Sequence, residues 1–478
     1  MFSRRFSLTL GLLSALVFIG TIAGPIQAQQ TGQSTTSQTN LPPHQPPKVT
    51  VQDDGPVAIT PRTNNRPAEN PNEPKPLAKN HFGNFGMPIL NNKGELAFMG
   101  RFASDKGDNG FGSGIFVLKA DGSWAYVRDG ESGLNFKSPI WSIHQVSLSE
   151  NGDLVFSATL DQKAPSFSVS GSASDVSGNS KQSGIFIKTA EGTKLIYQMG
   201  QEIPNNPATY IGFSNASINS KGTLAFVGTY TDPDGRGLFF LENGKLNLVA
   251  RSGQKSPAGP ETQYSEHFYP TSINERGELA LFIRISGGGA IFVRRATGME
   301  AIAVQDKPSP IPGSNYIGFG NRTPAISNSG GVAFVGFTDG EKPGRILFYK
   351  GDGPTQVAVR SGDTVPGMTA TFADFNMPAV NSKGDIAFIG NYAGRGRGVF
   401  VKTAEGIEPI ALYERPVPGL DPKDERNIFN NFLNPTINDN GDIAFMAQIK
   451  NASVGIFLKK KGEPLKMIKR TGDPAPFK

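Results

Sequence analysis

The sequence predicts an all-β protein, a seven-bladed β-propeller of four-stranded antiparallel blades. Three observations carry that reading. A unit of the form Asn-x-x-Gly-x-x-Ala-Phe recurs seven times, its Ala position falling at Ala97, Val155, Ala225, Ala280, Ala333, Ala387 and Ala444, with spacings of 58, 70, 55, 53, 54 and 57 residues. Each unit carries a second apolar run, usually after Gly, such as Gly184-Ile185-Phe186-Ile187 or Gly398-Val399-Phe400-Val401. No helical periodicity is found beyond the first 28 residues.

The repeat reads as a hairpin. Gly takes the positive-φ place of a type I turn with a bulge, and Asn or Ser bonds its side chain to the backbone two residues on. The turn residues are Asn91 and Gly94, Asn219 and Gly222, Asn274 and Gly277, Asn381 and Gly384, Asn438 and Gly441, with Ser149/Gly152 and Ser327/Gly330 as variants. Alternating small and large apolar groups suit a strand packed between two layers. Asn438-Asp439-Asn440-Gly441-Asp442 has oxygen ligands at calcium-loop spacing, yet Lys221 and Arg276 stand in that loop in other copies. A turn is the expectation, and no metal site.

The two arms of the hairpin, the Gly-led run and a last run such as Leu246-Asn247-Leu248-Val249-Ala250 give four short strands per unit. Four antiparallel strands every 55 residues or so describe a propeller blade, and seven fall within the usual range of about four to eight. A β-helix needs shorter coils, and stacked sandwiches need about seven strands per repeat.

Residues 1–28 read as an export signal. Arg4 and Arg5 precede an apolar run from Leu8 to Ile22, and Ile26-Gln27-Ala28 suits cleavage. The ordinary secretory route is preferred over the twin-arginine route, because the aromatic of Ser3-Arg4-Arg5-Phe6-Ser7-Leu8 sits one place early. Residues 29–80, with 10 Pro in 52 residues and no aromatic, read as a disordered linker, and 81–478 as the propeller. A Ser-rich loop insertion, 164–183, accounts for the longest spacing.

The chain has no Cys, which excludes disulfides, thiolate metal sites and a Cys nucleophile. With 47 Lys and Arg against 41 Asp and Glu, and no basic run longer than Lys459-Lys460-Lys461, there is no case for nucleic acid. The expectation is an exported monomer, periplasmic or extracellular, with no membrane span after signal cleavage and no cofactor.

On the repeat quoted above, from His81 onward, the chain resembles the bacterial family of exported tandem-repeat proteins with Asn-x-x-Gly-x-x-Ala-Phe repeats and variable surface anchors. It departs from the pattern at Ser149, Ser327, Val155 and Leu281, and shows no C-terminal anchor. The resemblance implies fold and location, and no activity. The hairpin is also loosely similar to the Asp-box turn of sialidase propellers.

Propeller ligands usually meet the loops at the channel mouth. Aromatics recur there at i, i+3: Phe82/Phe85, Tyr210/Phe213, Phe372/Phe375 and Phe429/Phe432, with Tyr316/Phe319 displaced and His267, Phe268 and Tyr269 crowded together. The candidate ligand-binding set is His81, Phe82, Tyr210, His267, Tyr269, Tyr316, Arg322, Phe372 and Phe429, suited to stacking on sugars or peptide side chains. Recurrence in every unit favours inter-blade packing instead. Arg128, Arg251, Arg360 and Arg470 end the fourth strand at matching places, a ring for anions or, with Glu131, Asp363 and Asp473 beside three of them, a set of local pairs. Asp232/Asp234 and Asp421/Asp424/Glu425 read as turns before they read as an acid–base pair. His44, His81, His144 and His267 have no metal-ligand spacing. The expected function is binding or scaffolding for a glycan or protein of the cell envelope. The alternative is a glycan hydrolase or lyase with acids at the channel mouth.

Overall fold

The computed structural model describes residues 77–477, apart from 109–110, 133–139, 141, 161–182, 205–207, 232–234, 271, 320–322, 341–342, 377 and 395. The export signal, nearly all of the linker, most of the Ser-rich insertion, Asp232, Asp234 and Arg322 lie outside the described residues. Among the described residues there is no helix.

Seven antiparallel sheets follow one another along the chain, each ordered from inner to outer strand as the sequence runs. Blade 3 shows the plan: Tyr210–Ile218, Leu224–Tyr230, Gly235–Glu242 and Lys245–Arg251, each pairing with the next. In blades 1, 5 and 6 the inner strand is interrupted, as in Phe82–Phe85 and Ile89–Leu90. A register shift between the two aromatics of the inner strand recurs, at Phe82/Asn84, Tyr210/Gly212, Phe372/Asp374 and Phe429/Asn431. Such bulges bend an inner strand and re-aim its side chains.

The repeat now has a packing account. Ala and Phe alternate because they face different neighbours. Ala97 lies in the core shared with blade 2, and Phe98 in the core shared with blade 7. Ala225 and Phe226 divide the same way between blades 4 and 2, and Ala333 and Phe334 between blades 6 and 4. The small side admits the aromatics of the next blade. The large side stacks on the Phe of the Gly-led strand: Phe226 on Phe239 at 5.2 Å, Phe388 on Phe400 at 5.6 Å, Phe445 on Phe457 at 5.4 Å. Each buried Phe contributes on the order of 2 kcal/mol of transfer free energy. Where the inner-strand aromatic crosses the sheet, only Gly fits. A Cβ on Gly390 would meet the Phe372 ring at 2.6 Å.

At each junction the chain leaving an outer strand pairs with the first residue of the next blade. Gly200 N–H donates to the Tyr210 carbonyl at 2.7 Å, and Tyr210 N–H to Gln201 at 3.0 Å. The ring closes the same way without a covalent link. Gly472 N–H donates to the Phe82 carbonyl at 2.8 Å, and Phe82 N–H to Asp473 at 2.9 Å. Phe477 then packs on Phe102 and Tyr126, with Arg128 over its ring at 4.2 Å.

Candidate functional site

The hairpin turns gather at one end of the central channel. All seven repeat glycines have positive φ, from 77° at Gly94 and Gly222 to 92° at Gly152. In each turn Gly N–H donates to the carbonyl of the first residue, as Gly94 to Asn91 at 3.1 Å, and that residue's N–H bonds to the residue after Gly, as Asn91 to Glu95 at 3.2 Å. This is the expected type I turn with a bulge.

The repeat Asn does more than fix its turn. Its Oδ1 accepts from the backbone four residues on and, at Asn219, Asn274 and Asn381, also two residues on, as Asn274 does from Arg276 at 3.0 Å and Glu278 at 2.8 Å. Its Nδ2 donates to the next blade's backbone and, in every copy but Asn219, whose turn has Thr223 at that place, also to a carboxylate of its own turn. Asn274 reaches Glu278 at 3.0 Å and the Ser327 carbonyl at 2.9 Å. Asn91 reaches Ser149, Asn219 reaches Asn274, Asn381 reaches Asn438, and Asn438 reaches Asn91 across the closure at 3.0 Å. The amide is 1–4% exposed in all five. Ser149 and Ser327 keep the turn, their hydroxyls accepting from Asp153 and Gly331, but carry no amide to send onward. After Ser149, Asn151 supplies a bond to the Ser220 carbonyl at 2.8 Å instead.

One place further along each turn stand Asn92, Glu150, Ser220, Glu275, Asn328, Ser382 and Asp439. They form a second ring. Asn92 N–H donates to Glu150 at 2.6 Å, Ser220 to Glu275 at 3.0 Å, Glu275 to Asn328 at 3.0 Å, Ser382 to Asp439 at 2.7 Å and Asp439 to Asn92 at 2.7 Å. Asn328 of blade 5 also donates to Glu150 of blade 2 at 3.3 Å. Those blades stand as far apart as a seven-membered ring allows, so this pair spans the channel. Beside it lies a cavity of about 430 Å³, lined by residues of all seven blades, with Leu90, Ile218, Ile273 and Val380 as apolar wall and Met87 half exposed.

Burial pushes the Glu150 carboxyl up, opposed by the Asn92 N–H and the Asn328 amide; Glu275 and Asp439 raise it further. Each of the three carboxylates is held by neighbouring donors. Asp442 likewise accepts from Asn438 and from Lys461 N–H at 3.0 Å, so the oxygens of that calcium-like loop serve as hydrogen-bond acceptors. Among the described residues no group of three or more His, Asp or Glu is placed to hold a metal ion.

The aromatic candidates lie elsewhere. Phe82, Tyr210, Tyr316, Phe372 and Phe429 are at most 3% exposed and belong to the inter-blade cores, so they present no face to a ligand. Burial was the stronger reading because the fold needs one such ring at every junction. Tyr269 packs half-buried on Phe282 at 5.9 Å, and exposed His267 stacks on Tyr269 at 6.3 Å. His81 bridges to Pro474 and its Nδ1 lies 3.0 Å from the Lys79 carbonyl. Of the arginines, Arg470 pairs with Asp473 at 3.6 Å and Arg128 with Asp129 at 3.4 Å, while Asp363 accepts the Arg360 N–H at 2.7 Å and Glu131 binds Lys188 at 2.9 Å. Asp421 and Asp424 cap their own turns, Asp424 also pairing with Arg426 at 2.9 Å. The second ring was missed, although an oxygen-bearing side chain after the turn Asn or Ser in all seven copies is a signal in the sequence.

No curated protein matches the sequence. Among solved structures the fold is similar to an acylaminoacyl peptidase of Pyrococcus horikoshii, at 11% identity and TM-score 0.36, covering 77% of this chain and 58% of the peptidase. The chain thus spans less than two thirds of that protein's length. An ulvan lyase of a polysaccharide lyase family follows at 9% identity and TM-score 0.38, with 81% of this chain and 96% of the lyase covered. TolB from Acinetobacter baumannii gives 11% identity and TM-score 0.35, over 79% and 78%. Likenesses this distant say nothing of activity. A family model, by contrast, matches three overlapping stretches, residues 70–171, 166–290 and 232–477. The chain, a tandem-repeat β-propeller, belongs to the family of unknown function DUF7453.

Proposed function

We propose that this protein is an exported bacterial β-propeller that binds a glycan or protein partner of the cell envelope in its central channel. The observation that carries this reading is the commitment of the channel acids: Glu150, Glu275 and Asp439 are each held by donors of a neighbouring blade. Acids fixed in this way are pre-organised acceptors for hydroxyl or amine groups, and their oxygens are ordered before a ligand arrives. Export is supported by the pattern of residues 1–28.

A glycan hydrolase or lyase is the second reading. It is favoured by Glu150, whose carboxyl is raised first by burial and then by the charges of Glu275 and Asp439, the setting in which an acid keeps a proton to deliver.

The binding test is a glycan array together with an envelope pull-down, using the full chain and Met87→Trp. Met87 lines the channel and is 48% exposed, so a larger ring fills the cavity while sparing the rings of hydrogen bonds. The wild type is expected to capture a ligand that the variant, melting at the same temperature, does not. Equal capture by both, or none by the wild type, contradicts channel binding.

A further inference from the structure

A repeat protein contains its own controls. What the fold requires recurs in every blade, and what breaks the repeat on the surface is available for something else. The outer hairpin of blade 7 breaks it in charge. Its strands Val454–Lys459 and Lys466–Arg470, with the turn between them, carry Lys459, Lys460, Lys461, Lys466, Lys469 and Arg470 against the single acid Glu463. In the outer hairpins of the other six blades, 111–128, 183–198, 235–251, 288–304, 344–360 and 396–412, cations exceed acids by two at most. Lysines on an open edge deter strand pairing, but the six other outer strands manage with fewer, so the fold does not call for this set.

Local acids are too few to cancel it. Glu463 pairs with Lys466 at 2.7 Å and also feels Lys459 and Lys460; Asp473 pairs with Arg470 at 3.6 Å, and Glu405 of blade 6 feels Lys461. Lys459 and Lys469 donate to carbonyls, of Glu463 at 2.6 Å and of Pro474 at 3.1 Å, which orient an ammonium without neutralising it. Lys461 and Lys466 are exposed. Lys466 stands opposite Leu458 and Lys469 opposite Ile456, and both partners lie in the core shared with blade 1, so these two cations project toward that blade.

There they meet a second break. Tyr126, on the outer strand Trp124–Arg128 of blade 1, stands opposite Phe116. In the other blades that place is held by Leu195, Leu248, Ala301, Val357, Pro409 and Met467, none of them aromatic. Trp124 and Tyr126 are part-exposed, packed on Phe98 at 5.9 Å and on Phe477 at 5.2 Å. Lys469 Nζ lies 5.7 Å from the centre of the Trp124 ring, so cations and aromatics line one groove at the ring closure.

We propose that this groove binds a linear polysaccharide that carries anionic groups on several of its sugars. Cations set along a strand suit charges set along a chain, and the rings suit the apolar faces of sugars. A bilayer fits less well, because its headgroups reward apolar groups that protrude, and these aromatics are recessed between two blades. The site lies outside the channel and does not depend on it.

The test is a calorimetric titration of the full chain at low salt with dextran sulfate, and with neutral dextran of the same length as control. The wild type is expected to bind only the sulfated chain, and to lose it as salt rises. Lys466→Gln/Lys469→Gln should weaken binding about tenfold or more at an unchanged melting temperature. Trp124→Leu, which installs the residue of blade 3 at this register, Leu246, should weaken it about threefold or more. Lys194→Gln/Lys245→Gln removes the same charge from the outer strands of blades 2 and 3 and should leave binding essentially unchanged. Met87→Trp should also leave it unchanged, which separates failure here from failure of the channel reading. Vesicles of phosphatidylglycerol should not displace the sulfated chain. No binding of dextran sulfate, equal losses in the two double variants, unaltered affinity in Trp124→Leu, or displacement by the vesicles overturns the proposal.

Discussion

The side-chain amide of Asn438 donates to the main-chain carbonyl of Asn91, 3.0 Å away and 347 residues back along the chain. This bond joins the last blade to the first with the group that elsewhere joins consecutive blades. It predicts that Asn438→Ala lowers stability by about 2–3 kcal/mol, since it removes a turn acceptor and strands a buried carbonyl. The converse is a gain. Ser327→Asn supplies an amide aimed at blade 6, and about 1 kcal/mol of added stability in chemical denaturation is expected.

The turn glycines are tested by Gly222. Its φ is +77° and a Cβ there meets nothing within 4 Å, so backbone conformation alone decides the outcome. Gly222→Val should cost on the order of 1–2 kcal/mol, and Gly222→Asn clearly less, because Asn tolerates the left-handed region. Equal losses for the two, read by thermal unfolding, contradict the turn geometry.

Ring closure depends on the segment after the last strand. Phe477→Ala removes ring contacts with Phe102, Phe116 and Tyr126 and the cation over its face, and is expected to cost about 2–3 kcal/mol. In hydrogen exchange the amides of Phe82 and Gly472, which pair across the closure, should lose protection before those of blade 4.

His144 sits on the inner strand of blade 2, where burial, and then the charge of Arg101, pull its pKa down from 6.5 to about 4. The folded state therefore binds fewer protons than the unfolded chain between those values. Stability is full above the unfolded value and falls as pH drops from 6.5 to about 4, by at most about 3 kcal/mol from this group. His144→Gln should flatten that part of the pH–stability curve; an unchanged slope contradicts a neutral buried imidazole.

Much of this fold could be read locally. The Asn-x-x-Gly turn is fixed by bonds spanning four residues, and alternation of Ala with Phe follows from one strand having two neighbours. What the sequence hid is what joins distant residues. The second hydrogen of each Asn amide goes to a carbonyl 53 to 58 residues away, or 347 at the closure, and no periodicity reports a donor's target. The aromatics at i, i+3 illustrate the opposite difficulty: recurrence marks what the fold needs, so Phe82 and Tyr210 went to the core.

Channel binding without catalysis is tested most directly by Glu150. The full chain and Glu150→Gln, which keeps the acceptor for Asn92 but no ionisable proton, are incubated with a panel of neutral and uronate-containing polysaccharides. New reducing ends and unsaturated products are measured beside binding. The expected result is binding with no product from either protein. Product formation by the wild type that disappears in Glu150→Gln contradicts it, and makes Glu150 the acid of a glycan-cleaving enzyme.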